Sequence, residues 1–293
     1  FISINIIKNK MKNIILIMSI LMINLSGCSK ASTDFNTSGD DGWDHQKSKN
    51  NLTVMSYNIR HCSPYIGSGV PSPAEVGNVA KVLKDKNADV VLLQEVDSMT
   101  TRAFNIDQAK ELAKRAGYKY HKFFKQKDYQ GGAYGAAILS KYEMKNIINH
   151  PLPKMIDGQT IKGSNILGSA KIVFAGKDIY IATMHLSVTE SERLKQFPKY
   201  LECLEPYAHK LIIIGGDFNS RPTDASITML EANGFTRTNK DPNKFTIPSD
   251  KPNRELDYIA YKPSTAVDVV SHTVFTGINA SDHLPIVSVL KIK

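Results

Sequence analysis

Five short polar motifs each close an apolar run, and this pattern constrains the fold more than any other feature of the chain. They are Ser56-Tyr57-Asn58, Gln94-Glu95, Thr183-Met184-His185, Gly216-Asp217-Phe218-Asn219 and Ser281-Asp282-His283. A sixth, Glu255-Leu256-Asp257-Tyr258, opens an apolar run. Runs such as Val90-Val91-Leu92-Leu93 and Leu211-Ile212-Ile213-Ile214 read as strands buried on both faces. Polar residues at strand ends are where a rigid sheet delivers side chains into a cleft. The set holds Asn58, Glu95, His185, Asp217, Asn219, Asp257, Asp282 and His283. Those groups suffice to hold a hard divalent cation, activate a water and neutralise a phosphate.

The rest of the chain is read around those strands. Further strands are expected at 52–59, 118–124, 135–140, 144–148, 257–261, 267–275 and 284–292, with a hairpin of 165–174 and 178–186 across Gly176-Lys177. Val76, Val79, Ala80 and Leu83 recur at helical spacing, so Pro73–Lys86 reads as an amphipathic helix. A second helix is expected at 107–116, ended by Gly117. Thr189 and Glu192 form a capping-box pattern opening a helix with Leu194, Phe197, Leu201 and Leu204, in which Pro198 predicts a kink or an early break. A short helix follows at Ala225–Ala232. Strands outnumber helices and hairpins mix with crossovers, which favours layered sheets with outer helices in one α+β domain over 51–293.

The N-terminus reads as an address. Met11 is a plausible start; Lys12 is followed by the apolar run 14–25, too short to span a bilayer comfortably. Leu25-Ser26-Gly27-Cys28 resembles a bacterial lipoprotein cleavage box, which implies a signal peptide over 1–27 and a lipid-modified Cys28. Residues 28–50, rich in Ser, Asp, Gly, Lys and Asn, read as a flexible tether. An exported, lipid-anchored protein of the bacterial cell envelope is expected, on the outer membrane or cell surface, working as a monomer. Cys62 and Cys203 follow no metal-ligand spacing and read as thiols. The 293 residues carry a net charge of +9, which suits anionic partners and excludes none of the soluble enzyme classes.

Some roles follow from residue type. Glu95, after four apolar residues, needs a partner to be buried, and a cation would serve. Asp217 and Asn219 at i, i+2 in extended chain point the same way, with Phe218 into the core, so together they can hold and deprotonate a water. Jointly, the motifs resemble the endonuclease/exonuclease/phosphatase superfamily, which includes deoxyribonuclease I and the neutral sphingomyelinases.

The resemblance covers about residues 52–292. It implies a four-layer α/β/β/α sandwich of two packed mixed sheets, with the site at one end. It further implies that Glu95 binds Mg²⁺ (or Mn²⁺) with Asn58 and Asp282 beside it, that His185 contacts the scissile phosphate, and that Asp257 orients His283. The chain has Ala133 and Ala136 where some relatives carry Glu or Asn, so His185 lacks that support. Arg60, Arg102 and Tyr134 are expected at the rim; the 118–129 segment, with its Lys and Tyr residues, reads rather as a solvated face, and the Gly-rich 129–135 stretch as either a tight turn or a phosphate cradle.

The function implied is metal-assisted hydrolysis of phosphoester bonds by in-line attack of water, with a phosphodiester as the leading substrate. Nucleic acid, a phospholipid headgroup (as for a sphingomyelinase-like phospholipase C) and a sugar phosphate all stay open. Only 63–67 and 152–156 offer apolar loops for entering a bilayer. A non-enzymatic binding lipoprotein would have lost part of the motif set, and all of it is present.

Overall fold

A computed structural model describes residues 49–64, 73–150 and 152–293. The signal-peptide, Cys28 and tether readings, and most of the 63–67 loop, lie outside the described residues. In chain order the strands are β1 (Asn51–Asn58), β2 (Val90–Ser98), β3 (Tyr120–Tyr129), β4 (Gly132–Ser140), β5 (Lys145–Asn149), β6 (Met155–Ile156), β7 (Gln159–Thr160), β8 (Ile166–Phe174), β9 (Lys177–His185), β10 (Leu211–Asp217), β11 (Thr236–Arg237), β12 (Asp257–Lys262), β13 (Val267–Val274) and β14 (Ile286–Ile292). The α-helices are α1 (Pro73–Lys86), α2 (Gln108–Ala116), α3 (Glu190–Leu204) and α4 (Ala225–Ala232).

Two six-stranded mixed sheets result, ordered β13-β14-β1-β2-β4-β3 and β11-β12-β10-β9-β8-β5. Between them, Leu52, Val54, Val90 and Leu92 of one sheet meet Ile179, Ile181, Ile213 and Ile259 of the other in one apolar core. Helix α2 lies on β2, β3 and β4 with α1 beside it. On the far side, Phe197, Tyr200 and Leu204 of α3 and Ile227 and Leu230 of α4 pack on Ile212, Ile214 and Tyr258. This is the expected α+β four-layer sandwich. Among the described residues no helix is long and apolar enough to cross a membrane.

Period-two alternation carries the core positions to the site. Residues 52 and 54 face the opposite sheet, so Ser56 and Asn58 follow on that face; 179 and 181 lead to Thr183 and His185, 213 to Asp217, and 259 back to Asp257. Strands β9, β10 and β12 end flush, because Asp217 pairs in register with both His185 and Asp257. The sheets approach closely here: a Cβ on Gly215 would lie 2.8 Å from Leu92. Beneath the site a buried polar stitch joins them, with Gln94 Nε2 donating to Thr183 Oγ1 (3.1 Å) and Thr183 Oγ1 donating to Leu93 O (3.2 Å).

Several local expectations are corrected. The β8–β9 turn falls on Ala175-Gly176, both with positive φ (50° and 75°), one residue earlier than expected. Thr189 is the N-cap residue of α3 but its side chain makes no cap hydrogen bond; Glu192 instead accepts from the backbone N–H groups of Lys162 and Gly163 (3.2 and 3.1 Å). Pro198 does not end α3, which runs on to Leu204 because Phe197, Tyr200 and Leu204 are held in the core. The last strand starts at Ile286, leaving Asp282 and His283 in the loop before it. The Gly-rich stretch is a tight turn, Gln130-Gly131 (φ 45° and 79°), between β3 and β4.

Candidate active site

Glu95 reaches the site by a device the sequence pattern does not show. It was expected to close its strand, yet β2 continues to Ser98. The pairing of β2 with β4 shifts between Leu93 and Val96, and Glu95 itself has φ +55°. A bulge with one residue in the left-handed region re-aims a side chain that plain alternation would send to the outer face. The carboxylate then meets the amide of Asn58: Nδ2 donates to Glu95 Oε1 (3.1 Å) and to Asp217 Oδ2 (3.0 Å). The Asn58 oxygen faces the other way and accepts from Arg60 N (3.0 Å). One buried amide thus bridges two carboxylates from two sheets.

Asn219 is also placed by backbone conformation rather than by extended alternation. Strand β10 stops at Asp217, and Asn219 has φ +48°, so the i, i+2 argument in extended chain does not hold. The left-handed residue lets Asn219 N donate to Asp217 Oδ1 (2.8 Å) while its side-chain Nδ2 donates to Leu186 O (2.9 Å) and lies 3.2 Å from His185 Nε2. Phe218 points inward as expected and packs edge-on against Tyr258. His185, without support from Ala133 or Ala136, is positioned by Asn219 and stands 3.5 Å from Asp217 Oδ2.

His283 approaches the same oxygen from the other side, its Nε2 3.6 Å from Asp217 Oδ2, while its Nδ1 lies 2.8 Å from Asp257 Oδ2. Burial works against charging this ring; the carboxylates of Asp257, Asp217 and Asp282 outweigh it and hold its pKa up at about 10. Asp257 is fixed by Thr246, whose hydroxyl donates to Oδ2 (2.5 Å). The loop carrying His283 is tied to the end of β1 by Ser281 Oγ, which donates to Asn58 O (2.7 Å). Asp282 sits 3.7 Å from Arg60 Nε and accepts from Ser281 Oγ.

The donor chemistry fits a hard divalent cation. Among the described residues no lysine or arginine lies within 4 Å of Glu95; its second oxygen faces only His61 Nδ1 at 3.9 Å, and burial with the nearby Arg102 charge pushes His61 down to about 4, so that ring is neutral. A carboxylate held by an amide with no counter-charge suits a cation bound by oxygen ligands. Asp217, Asp257 and His283 also converge, their ligand atoms within 4.8 Å of one another. There, however, the charged form of His283 already supplies the positive group.

The Endonuclease/Exonuclease/phosphatase family model matches residues 55–283. The chain belongs to that family. Its members hydrolyse phosphoester bonds and depend on metal, and the carboxylates gathered at the strand ends give this endonuclease/exonuclease/phosphatase chain acidic groups that could hold an ion. Solved structures agree on the fold. An endonuclease/exonuclease/phosphatase from Beutenbergia cavernae superposes with a TM-score of 0.70 at 21% identity, over 83% of this chain and 72% of the other. The catalytic domain of human Nocturnin with bound sulfate gives 0.66 at 20%, over 83% and 95%. A mannosyl-6-phosphatase from Bacteroides thetaiotaomicron gives 0.64 at 17%, over 82% and 99%. No curated protein matches the chain in sequence.

The rim differs from expectation in part. Arg102 and Tyr134 do line a cleft beside Glu95, and Arg60 lies against Asp282. The 118–129 segment is not wholly a solvated face: β3 runs to Tyr129, and Gln126, Lys127 and Tyr129 line the same cleft. Three contributors were missed. Gln94 stands in a motif but its inter-sheet role needs the second sheet to be seen; Thr246 and Lys162 carry no local signal. Cys62 and Cys203 are both free thiols.

Proposed function

We propose that this family member is a divalent-metal-dependent hydrolase, with phosphodiesters as substrates, that uses water as nucleophile. The observation that carries the reading is the convergence on Asp217 Oδ2 of three groups from three elements: the Asn58 amide at 3.0 Å, His185 at 3.5 Å and His283 at 3.6 Å. Glu95, with Asp282 nearby, would hold an Mg²⁺ or Mn²⁺ ion, which would supply charge neutralisation for the phosphate.

The chain's own residues do the rest. Asp217, its other oxygen fixed by Asn219 N, takes a proton from the attacking water. The water oxygen bonds to phosphorus as the ester oxygen departs opposite to it. The departing oxygen takes a proton from solvent water, and His185, whose Nε2 accepts from Asn219 Nδ2, stands beside it. His283, kept as imidazolium by Asp257, stabilises the added negative charge on the phosphoryl oxygens. No covalent intermediate is needed, and phosphorus inverts. Both rings stand farther than ordinary hydrogen-bond length from Asp217 Oδ2, so that oxygen is left to accept from the water.

Asp217→Asn tests the reading: it keeps the Asn58 and Asn219 neighbourhood in size but cannot accept the proton. Hydrolysis of bis(p-nitrophenyl) phosphate in Mg²⁺ is expected to fall about 10³-fold. Retention of more than a tenth of the activity, with unchanged metal requirement, rejects Asp217 as base. For the cell, the reading extends to a lipid-anchored envelope enzyme, supported by the Cys28 motif; metabolic labelling with a fatty acid in Cys28→Ser checks that part.

A further inference from the structure

A cleft of about 340 Å³ opens directly beside Glu95, and its lining is unlike the site it adjoins. It contains three cationic side chains, Arg102, Lys127 and Lys162, against the single carboxylate of Glu95. Arg102 is anchored from below: Nε and Nη2 both donate to Asp97, at 2.6 and 2.9 Å, which spends its charge and fixes its plane. That plane lies over Tyr129 (4.5 Å) and Tyr134 (5.7 Å). The Lys127 ammonium lies over the same rings, 5.4 and 5.2 Å from their centroids. Neither Lys127 nor Lys162 makes an ion pair within 4 Å among the described residues, although Lys162 lies near enough to Glu192 to help lower that carboxyl. Gln126 also lines the cleft.

The backbone delivers this wall as it delivers Glu95. Pairing of β3 with β4 shifts between Lys125 and Lys127, leaving Gln126 as the extra residue of a bulge. The β2 bulge that aims Glu95 lies across the same strand, and Gly135 stands opposite both, pairing with Val96 on one side and Lys125 on the other. A single strand therefore sets the spacing between the catalytic carboxylate and the cationic cleft.

We infer that this cleft takes the esterified alcohol of the substrate, and that this alcohol is a small unit carrying a second anionic group such as a phosphate. The inference rests on the hydrolase reading above. The second anion sits between Lys127 and Lys162. The tyrosine rings already carry two cations, which argues against a stacking platform for nucleobases. The volume admits one such unit and not a polymer segment.

The test uses the full chain in detergent and a matched pair of diesters, glycerophosphoinositol and glycerophosphoinositol 4-phosphate. The ratio of their kcat/KM values is the readout. The wild type is expected to favour the phosphorylated member about 100-fold, roughly tenfold for each lysine that gains a charged partner. Lys127→Met with Lys162→Met should bring the ratio to near one. A wild-type ratio near one, a ratio that survives the double substitution, or faster cleavage of oligonucleotides than of either diester overturns the inference. Repeating the pair as phosphatidylinositol and its 4-phosphate in mixed micelles tells a lipid-borne headgroup from a free one: the ratio is expected to be the same in both, and the absolute kcat/KM higher for the free pair. Asp217→Asn separates the two claims: if it leaves hydrolysis intact, the catalytic reading fails while the ratio still reports on the cleft. Should neither diester be hydrolysed, calorimetric binding of the pair to the wild type gives the same ratio and decides in the same way.

Discussion

Asn58→Leu isolates the amide bridge at the heart of the site. Leucine keeps the branched outline and heavy-atom count of asparagine, with bulkier methyl groups, but supplies no donor. Two hydrogen bonds to carboxylates are lost, at 3.1 Å to Glu95 and 3.0 Å to Asp217, together with the bond from Arg60 N to the Asn58 oxygen. Bonds to charged groups contribute about 1.5–3 kcal/mol each, so the loss is about 4 kcal/mol in chelator, after some relief by water. For a domain of this size each kcal/mol moves Tm by about 2–4 °C, and a fall of about 8–16 °C follows. Differential scanning fluorimetry in EDTA measures it, and activity in Mg²⁺ should fall about 10²-fold. Mg²⁺ should then raise Tm more in the variant than in the wild type, because a cation would relieve two carboxylates left facing an apolar group. A variant melting within about 2 °C of the wild type in EDTA would refute the bridge. A smaller Mg²⁺ shift in the variant would instead make the Asn58 oxygen a metal ligand, against its observed bond to Arg60 N.

Two further outcomes follow from the geometry. Burial pushes the Glu255 carboxyl up to about 7, against the pull of Arg237 and the Asn239 hydrogen bond, so the folded state retains its proton where the unfolded chain has lost it; stability from this group is full below about pH 4.5 and is lost as pH rises through 7. Glu255→Gln should therefore match the wild type at pH 4.5 and exceed it by about 1–2 kcal/mol at pH 8, a figure discounted for solvent screening, and a pH-independent difference in Tm would contradict the argument. A Cβ on Gly135 would stand 1.9 Å from the carbonyl oxygen of Phe124, a backbone atom that cannot swing aside; Gly135→Ala should cost about 3–5 kcal/mol and weaken Mg²⁺ binding by calorimetry, whereas a variant with unchanged metal affinity would mean the two bulges do not depend on that strand.

The sheets and most of the site were legible because two simple regularities coincide. Apolar runs announced the strands, and alternation from core residues such as Ile181, Ile213 and Ile259 predicts the faces of His185, Asp217 and Asp257. What alternation cannot reveal is a break in itself. Glu95 and Asn219 both reach the cleft through left-handed backbone, and no residue type in Gln94-Glu95 or Phe218-Asn219 requires that conformation. The capping-box pattern failed for a related reason: Glu192 finds stronger partners in the 162–163 backbone, brought near by tertiary packing, than in its own helix end. Lys162 and Thr246 were invisible because their roles depend on loops that fold over the strand ends.

The direction of β1 sets where the chain enters the domain. β1 runs from Asn51 to Asn58, seven steps of about 3.3 Å, so the chain enters the domain about 23 Å from the bridging amide. The entry end is fixed, since Ile292 N donates to Asn50 O at the close of β14. The chain therefore enters the domain at the end of β1 away from Asn58. What bears on the substrate is the charge of the cleft: its cationic lining attracts small anions over about a Debye length and contributes little to extracting an acyl chain. That charge favours a soluble, multiply anionic ester over a membrane lipid.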